Sequence, residues 1–224
     1  MKFAQGVIAG TLVVLVAACG SNAPKNSAPP AAQPSTSAPS TSAPSTSATT
    51  PAPNLNSELL AVSDLPTGWS TVPSSGDSSP APKCLQHAKS GLKATSKAEA
   101  TFADGANGLP LLDEFLAYLP GQAQSAMTFI SHAMSGCGHI SLTSDGQTLT
   151  GTVGAMSFPA VADQSSAYQM SFSATVSGLS ITVGVDLVVF RKAGTVAMIL
   201  YGDLGTPDIQ ALRHFVKRAA AKLS

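Results

Sequence analysis

Cys84 and Cys137 are the residues beyond the N-terminal region whose chemistry is easiest to interpret. They lie 53 positions apart and form no C-x-x-C pair, so their spacing does not match a zinc site. An even pair of cysteines in an oxidising compartment typically forms a disulfide bond, and we expect these two to be joined. His139 follows Cys137 by two residues, but a single histidine there is more typical of a surface or capping residue than of a metal ligand.

Carboxylates are the other side chains that could do chemistry. Asp113 and Glu114 are adjacent, and neighbours in a strand point to opposite faces, so they make a poor acid–base pair; we expect them to be solvated or at the end of an element. Asp186 interrupts the apolar run V-G-V-D-L-V-V-F, and a buried acid needs hydrogen bonds or a cation. Arg191, Lys192 or a cap could supply these, and a structural role is favoured over a catalytic one.

The sequence contains no G-x-S-x-G elbow, no phosphate-binding G-x-x-x-x-G-K-S/T loop and no G-x-G-x-x-G after a strand. Its four histidines have no metal-ligand spacing such as H-x-x-x-H; they are His87, His132, His139 and His214. We therefore expect no enzymatic activity, no catalytic residue, no metal and no cofactor.

The N-terminus predicts export and anchoring. Lys2 and the apolar run from Val7 to Ala18 form a secretory signal that is too short for a membrane span. The motif Val16-Ala17-Ala18-Cys19 resembles the bacterial lipobox. That resemblance implies that residues 1–18 are removed and that Cys19 is acylated, which places the protein at the cell membrane, on its extracytoplasmic face. An uncleaved anchor or an ordinary signal cut near Ala18 are the alternatives.

Residues 20–53 predict a disordered tether behind Cys19. Pro-Ser-Thr-Ser-Ala occurs three times in tandem over residues 34–48, and the segment has one charge and no aromatic or large aliphatic side chain. Such a composition cannot offset the entropy of folding. Its prolines favour an extended spacer, with a reach of about 100 Å at about 3.1 Å per residue. Ser and Thr beside Pro also resemble O-glycosylated stalks.

Residues 54–224 have the length of one globular domain. The chain is 44% hydrophobic and only 11% charged, with no net charge, so nothing favours a nucleic-acid partner. A basic stretch precedes an acidic stretch, and we expect both to be solvated; they comprise Lys83, Lys89, Lys93 and Lys97, then Glu99, Asp104, Asp113 and Glu114. We expect a monomer.

The first half of the domain predicts short elements. These are a turn of helix after an Asn56 cap, a strand from Trp69, a loop over 73–82, a helix over 84–93, a strand over 97–103, a strand or helix over 111–119, and a helix over 122–134.

The second half predicts a meander of antiparallel strands, since its connections are too short for parallel crossovers. A hairpin covers 140–153, a polar connection covers 163–168, and strands cover 169–176, 180–191 and 195–201. Thr206 and Pro207 then open an amphipathic helix with its basic residues towards the C-terminus. Strands separate from helices indicate an α+β fold, a mainly antiparallel sheet flanked by helices. We expect the C-terminal helix to cover one face of the sheet. The helix over 122–134 is expected to cover either the same face or the other one.

Several segments carry a family resemblance: D-Q-S at 163–165, V-D-L-V-V-F-R-K-A-G at 185–194, L-G-T-P-D at 204–208 and A-A-A-K-L at 219–223. With L-L-x-V-S-D-L-P-T-G-W at 59–69 and the paired cysteines, they resemble actinobacterial, mycobacterial-type lipoproteins whose globular domain is of the PknH-like extracellular sensor type. The resemblance implies a cleft for an unknown ligand. This chain differs in having no kinase domain, no membrane span and one cysteine pair rather than two. A PsbP-like lipoprotein fold is the alternative.

The expected function is a non-enzymatic module, anchored through Cys19, that binds an unknown small-molecule, lipid or protein partner in the cell envelope. The alternatives are a carrier of a hydrophobic ligand, an unrecognised hydrolase of the envelope, and an adhesive protein without a pocket.

The cysteine pairing gives the first testable prediction. The mature chain should have a mass two hydrogens below that of the reduced chain, and closing this long loop should stabilise the fold by about 4 kcal/mol. Cys137→Ser should abolish the mass difference and lower the denaturation midpoint. Two free thiols in the native protein would rule the bridge out.

Overall fold

The strongest period-two pattern in the sequence, over residues 181–189, lies at the centre of a single sheet. The computed structural model describes residues 52–73, 92–105, 108–144, 147–176 and 179–224. Within them, eight strands form this sheet: β1 (Trp69–Val72), β2 (Ser96–Asp104), β3 (Leu111–Tyr118), β4 (His139–Ser144), β5 (Gln147–Ala155), β6 (Gln164–Val176), β7 (Leu179–Lys192) and β8 (Thr195–Leu204). Every neighbouring pair is antiparallel.

Two helices, α1 (Ala123–Ser135) and α2 (Ile209–Lys222), and two 3-10 turns, Leu55–Ser57 and Val62–Asp64, accompany the sheet. The predicted α+β fold is therefore confirmed. The strands lie in the order β1-β2-β3-β8-β7-β6-β5-β4, so β1–β3 and β4–β8 are two meanders. The connection through α1 crosses to the far edge, and the second meander returns until β8 pairs with β3.

Each face of the sheet has its own apolar core. On one face, α1 packs on the central strands through side chains such as Ala126 and Met127. On the other face, α2 and the two 3-10 turns pack on the sheet through Leu55, Leu60, Leu212 and Phe215. The helices thus lie on opposite faces, a choice that the sequence left open.

Cover on both faces explains why the central strands are buried in long unbroken runs and are apolar along most of their length. Eight consecutive residues of β7, from Val183 to Phe190, are buried, and so are the first eight of β8. Leu111–Tyr118, which could have been strand or helix, is a strand because it pairs with β8 along its whole length.

Three local predictions were wrong. The cap of α2 is Asp208, whose carboxylate accepts from the backbone N–H of Gln210 at 2.8 Å, so the helix begins later than Thr206 would place it. Asn56 lies inside a 3-10 turn and caps no helix. Residues from Gln164 onward are strand rather than connection, since β6 pairs with β7 as far as Arg191. The predicted helix over 84–93 lies largely outside the described residues, as does most of the predicted loop over 73–82.

The junction between β7 and the loop before α2 tests this packing. A Cβ placed on Gly184 would lie 2.5 Å from Cδ of Pro207 and even closer to the carbonyl oxygen of Gly205. Because that oxygen belongs to the backbone, the loop must shift to make room. We expect Gly184→Ala to lower the free energy of unfolding by about 1–3 kcal/mol in urea titrations.

Gly154→Ala is the matched control, because Gly154 also lies in a strand and has nothing within 4 Å of the added Cβ. Its effect should stay within about 0.5 kcal/mol. Equal losses in the two variants would show that the loop does not constrain β7.

Candidate functional site: carboxyl groups inside the sheet

Three carboxyl groups lie in the interior of the sheet. Asp113 and Glu114 are in the middle of β3, and Asp186 is in the middle of β7; their exposed fractions are 3%, 0% and 1%. A charge in such surroundings is costly unless it is paired or hydrogen-bonded. The expectation that Asp113 and Glu114 are solvated or at the end of an element was therefore wrong on both counts. Their opposite orientations do follow from adjacent positions in one strand.

Glu114 points towards α2 and the 3-10 turns. Its Oε2 accepts a hydrogen bond from the backbone N–H of Leu60, and its Oε1 has no partner among the described residues. Burial raises the pKa of Glu114 to about 7, although the N–H of Leu60 and the ammonium of Lys222 oppose the rise. Asp64 adds to it by repulsion, while its own carboxylate pairs with Nζ of Lys222 at 2.8 Å.

Asp113 points to the face that α1 covers. Burial raises its pKa to about 6, and the negative charge of Glu99 adds to the rise. Thr101 faces Asp113 across the ladder and offsets part of it, but the hydroxyl and the carboxyl oxygens do not reach hydrogen-bonding geometry. The result is a carboxyl group that is neutral at moderately acidic pH.

Asp186 lies between Gln169 on β6 and Tyr201 on β8. Burial raises its pKa, and the side chain of Gln169 opposes the rise. The predicted help from Arg191 or Lys192 was wrong. The guanidinium of Arg191 binds Asp163 and Gln164, and Nζ of Lys192 donates to the backbone carbonyl of Leu223.

Tyr201 is a buried phenol that faces Asp186 across the ladder between β7 and β8. Its ring packs edge-on against Phe215, and both rings contact Trp69, with centroids 5.3–6.3 Å apart. Burial raises the pKa of Tyr201 to about 12, and nearby carboxylates contribute; these belong to Asp203, Asp208, Asp104 and Asp186. The hydroxyl therefore stays protonated at physiological pH and does not act as a base.

Of the three cysteines, only Cys137 lies within the described residues. Cys19 and Cys84 lie outside the described residues, so the lipid anchor and the pairing stay predictions. Cys137 is fully buried two positions beyond the end of α1, in contact with the core on that face. In the described ranges, no three or more His, Cys, Asp or Glu side chains are grouped so that they could hold a metal ion. No helix in the same ranges is long and apolar enough to cross a membrane.

Sequence reasoning missed the residues that act on the Glu114 carboxyl group: Leu60 through a hydrogen bond, and Lys222 and Asp64 through their charges. Lys222 pairs with Asp64 across 158 positions, and no local pattern connects them. The burial of Asp113 and Glu114 did have a signal, because apolar residues flank them on both sides in L-L-D-E-F-L-A-Y-L. A strand whose residues are mostly apolar on both of its faces is typical of a sheet that is covered on both sides.

As arranged, these carboxyl groups cannot act together on a dissolved substrate. Glu114 and Asp186 face α2, Asp113 faces α1, and none of the three reaches solvent. They can store protons inside the fold and make its stability depend on pH.

No family model matches this chain, and no curated protein matches its sequence. Among solved structures, the chain is similar to the extracellular domain of PknH from Mycobacterium tuberculosis, with 11% sequence identity and a TM-score of 0.44. The match covers 60% of this chain and 68% of the other. It is a distant likeness of fold.

The buried acids predict the pH dependence of stability. Asp113 has a higher pKa in the folded state than its ordinary value of 3.8, so folding is favoured below that value and loses this contribution as the pH rises towards 6. Asp113→Asn should flatten the fall in unfolding free energy between pH 3.5 and 7 by roughly 3 kcal/mol, measured by urea titration at several pH values.

Asp208→Asn serves as the control, because Asn is as good a helix cap as Asp and this side chain is exposed. It should leave the pH dependence unchanged. An Asp113→Asn variant with the slope of the wild type would show that Asp113 is ionised in the fold.

Proposed function

We propose that this chain is a non-enzymatic binding module of the cell envelope, held at the extracytoplasmic face of the membrane by acyl chains on Cys19. The order of its parts supports the proposal: a signal, a lipobox-like cysteine, a tether and then a domain. This order serves to display a folded domain at a distance from a membrane. The partner is a small molecule, a lipid or a protein, and the module acts as a monomer.

The enclosure of the carboxyl groups is the observation that carries the non-enzymatic part of the proposal. General acid–base catalysis needs a group within hydrogen-bonding reach of the substrate. Asp113, Glu114 and Asp186 are instead walled in by side chains from both cores. Their raised pKa values have a structural cause, which is burial.

The pairing of Cys84 with Cys137 belongs to the same proposal. An exported domain meets an oxidising environment, where such a pair is stable. The bridge would fasten the segment before β2 to the end of α1 and so stiffen the face that α1 covers.

Anchoring is tested by Cys19→Ser in the native host. A single acyl chain holds a protein at a membrane only marginally, and two or more hold it firmly, so the wild type should sediment with membranes. The variant should lose its acyl mass and leave the membrane fraction. If the wild type carried no acyl mass and left the membrane fraction to the same extent as the variant, the proposed lipid anchor would be overturned.

Binding is tested by native mass spectrometry of the full chain purified in detergent from its host. A bound species of discrete mass would support a ligand-binding module, and copurified phospholipid or other lipid would favour a carrier instead. If the same sample turned over cell-wall fragments and an inactivated preparation of it did not, the non-enzymatic proposal would be overturned.

A further inference from the structure

Residues 54–65, here termed the strap, lead into β1 and lie across the face that α2 covers. Leu55 and Leu60 are buried there in one cluster with Leu112 and Leu116 of β3. The strap contains only two 3-10 turns and does not pair with any strand of the sheet. It is therefore held by apolar contacts and by a few polar bonds of its own.

Those bonds lead to two places. The backbone N–H of Leu60 donates to Glu114 in the middle of the sheet. The other bonds reach the end of α2 and the residues beyond it: Asp64 pairs with Lys222 at 2.8 Å, and the hydroxyl of Ser224 donates to Glu58. Glu114 is thus the one fixing point of the strap on the sheet among these polar bonds.

We propose that the strap is a pH-controlled latch, which is closed over the sheet while Glu114 is protonated and opens when Glu114 ionises. The reason is that the surroundings of Glu114 do little to stabilise a negative charge. Glu114 is fully buried, it accepts one N–H, and its second oxygen has no partner in the described part of the chain. Opening the strap brings water to the carboxylate.

The charges around Glu114 do not remove this conflict. The strap contributes Glu58 and Asp64, and α2 contributes Lys222, whose ammonium already pairs with Asp64; Arg218 also acts on Asp64. The residues facing Glu114 on the neighbouring strands are Ala100 and Ile199, which carry no charge. Lys192 is engaged with the carbonyl of Leu223, and Asp113 lies on the other face.

The size of the effect follows from proton linkage. With the strap closed, the pKa of Glu114 is raised to about 7, whereas water would return it towards its ordinary value of 4.5. The closed state therefore binds the extra proton, and its advantage is complete below 4.5 and lost as the pH rises through 7. Between pH 5.5 and 8.5 the closing equilibrium should weaken roughly 30-fold.

Opening would expose the apolar side chains that Leu55 and Leu60 cover. These belong to β3 and α2, which keep their own pairing and packing without the strap. The latch would thus change the accessible surface of the domain without unfolding it.

Hydrogen exchange of the full chain, followed by mass spectrometry, tests the latch. Protection factors for peptides covering 55–65, corrected for the intrinsic effect of pH on exchange, should fall roughly 30-fold from pH 5.5 to 8.5. Peptides from β7 and β8 exchange only when the whole domain unfolds, and because unfolding also releases Asp113 and Glu114 to water, their protection should fall too. It should nevertheless stay well above the protection of the strap at both pH values. Equal strap protection at both pH values would overturn the proposal.

Two variants separate Glu114 from its neighbours. Glu114→Gln keeps an oxygen that accepts from Leu60 but cannot ionise, so the protection of its strap should not depend on pH. Glu58→Gln, at the other buried glutamate of this face, should retain the dependence of the wild type. The opposite pattern would assign the switch to Glu58.

Asp64→Asn provides a third measurement that does not depend on the folding of Glu114→Gln. It removes a negative charge near Glu114 and frees Lys222, and both changes favour the ionised carboxylate. The midpoint of the loss in protection should move to lower pH. A midpoint that stays in place or rises would contradict the latch.

Discussion

The cover on both faces of the sheet is the constraint from which the other properties of this domain follow. It removes water from β3, β7 and β8, so these strands can be apolar along most of their length. It also means that any acid in them must be neutral or hydrogen-bonded, because an unpaired buried carboxylate destabilises the fold. Asp113, Glu114 and Asp186 are held in that condition, on two different faces. Their protonation is coupled to the packing of the elements above them.

The sequence was informative wherever one element determines its own structure. The alternation in β7 and the helical spacing of α1 and α2 were enough to locate them to within a few residues. The α+β class followed because strands and helices are separate along the chain. The cap at Asp208 was missed because Thr206 and Pro207 offer an equally good local pattern, and only the packed loop decides between them.

The site was less predictable because its contacts are long-range. An adjacent Asp and Glu predict one inward and one outward side chain only if a single face of the sheet is covered. Here both faces are covered, so both side chains are buried. The bond from Leu60 to Glu114 spans 54 positions, and that from Ser224 to Glu58 spans 166. Such pairs become visible only when the fold brings the N-terminal segment against the end of α2.

The position of the strap also has a mechanical consequence. Tension applied from the N-terminal side acts first on the strap, whose polar bonds lie at isolated points, and then on β1, an edge strand with a single partner. The central strands, each with two partners, are reached last. The domain would therefore yield in steps from its N-terminal end, and the strap would detach before the load reaches the centre of the sheet.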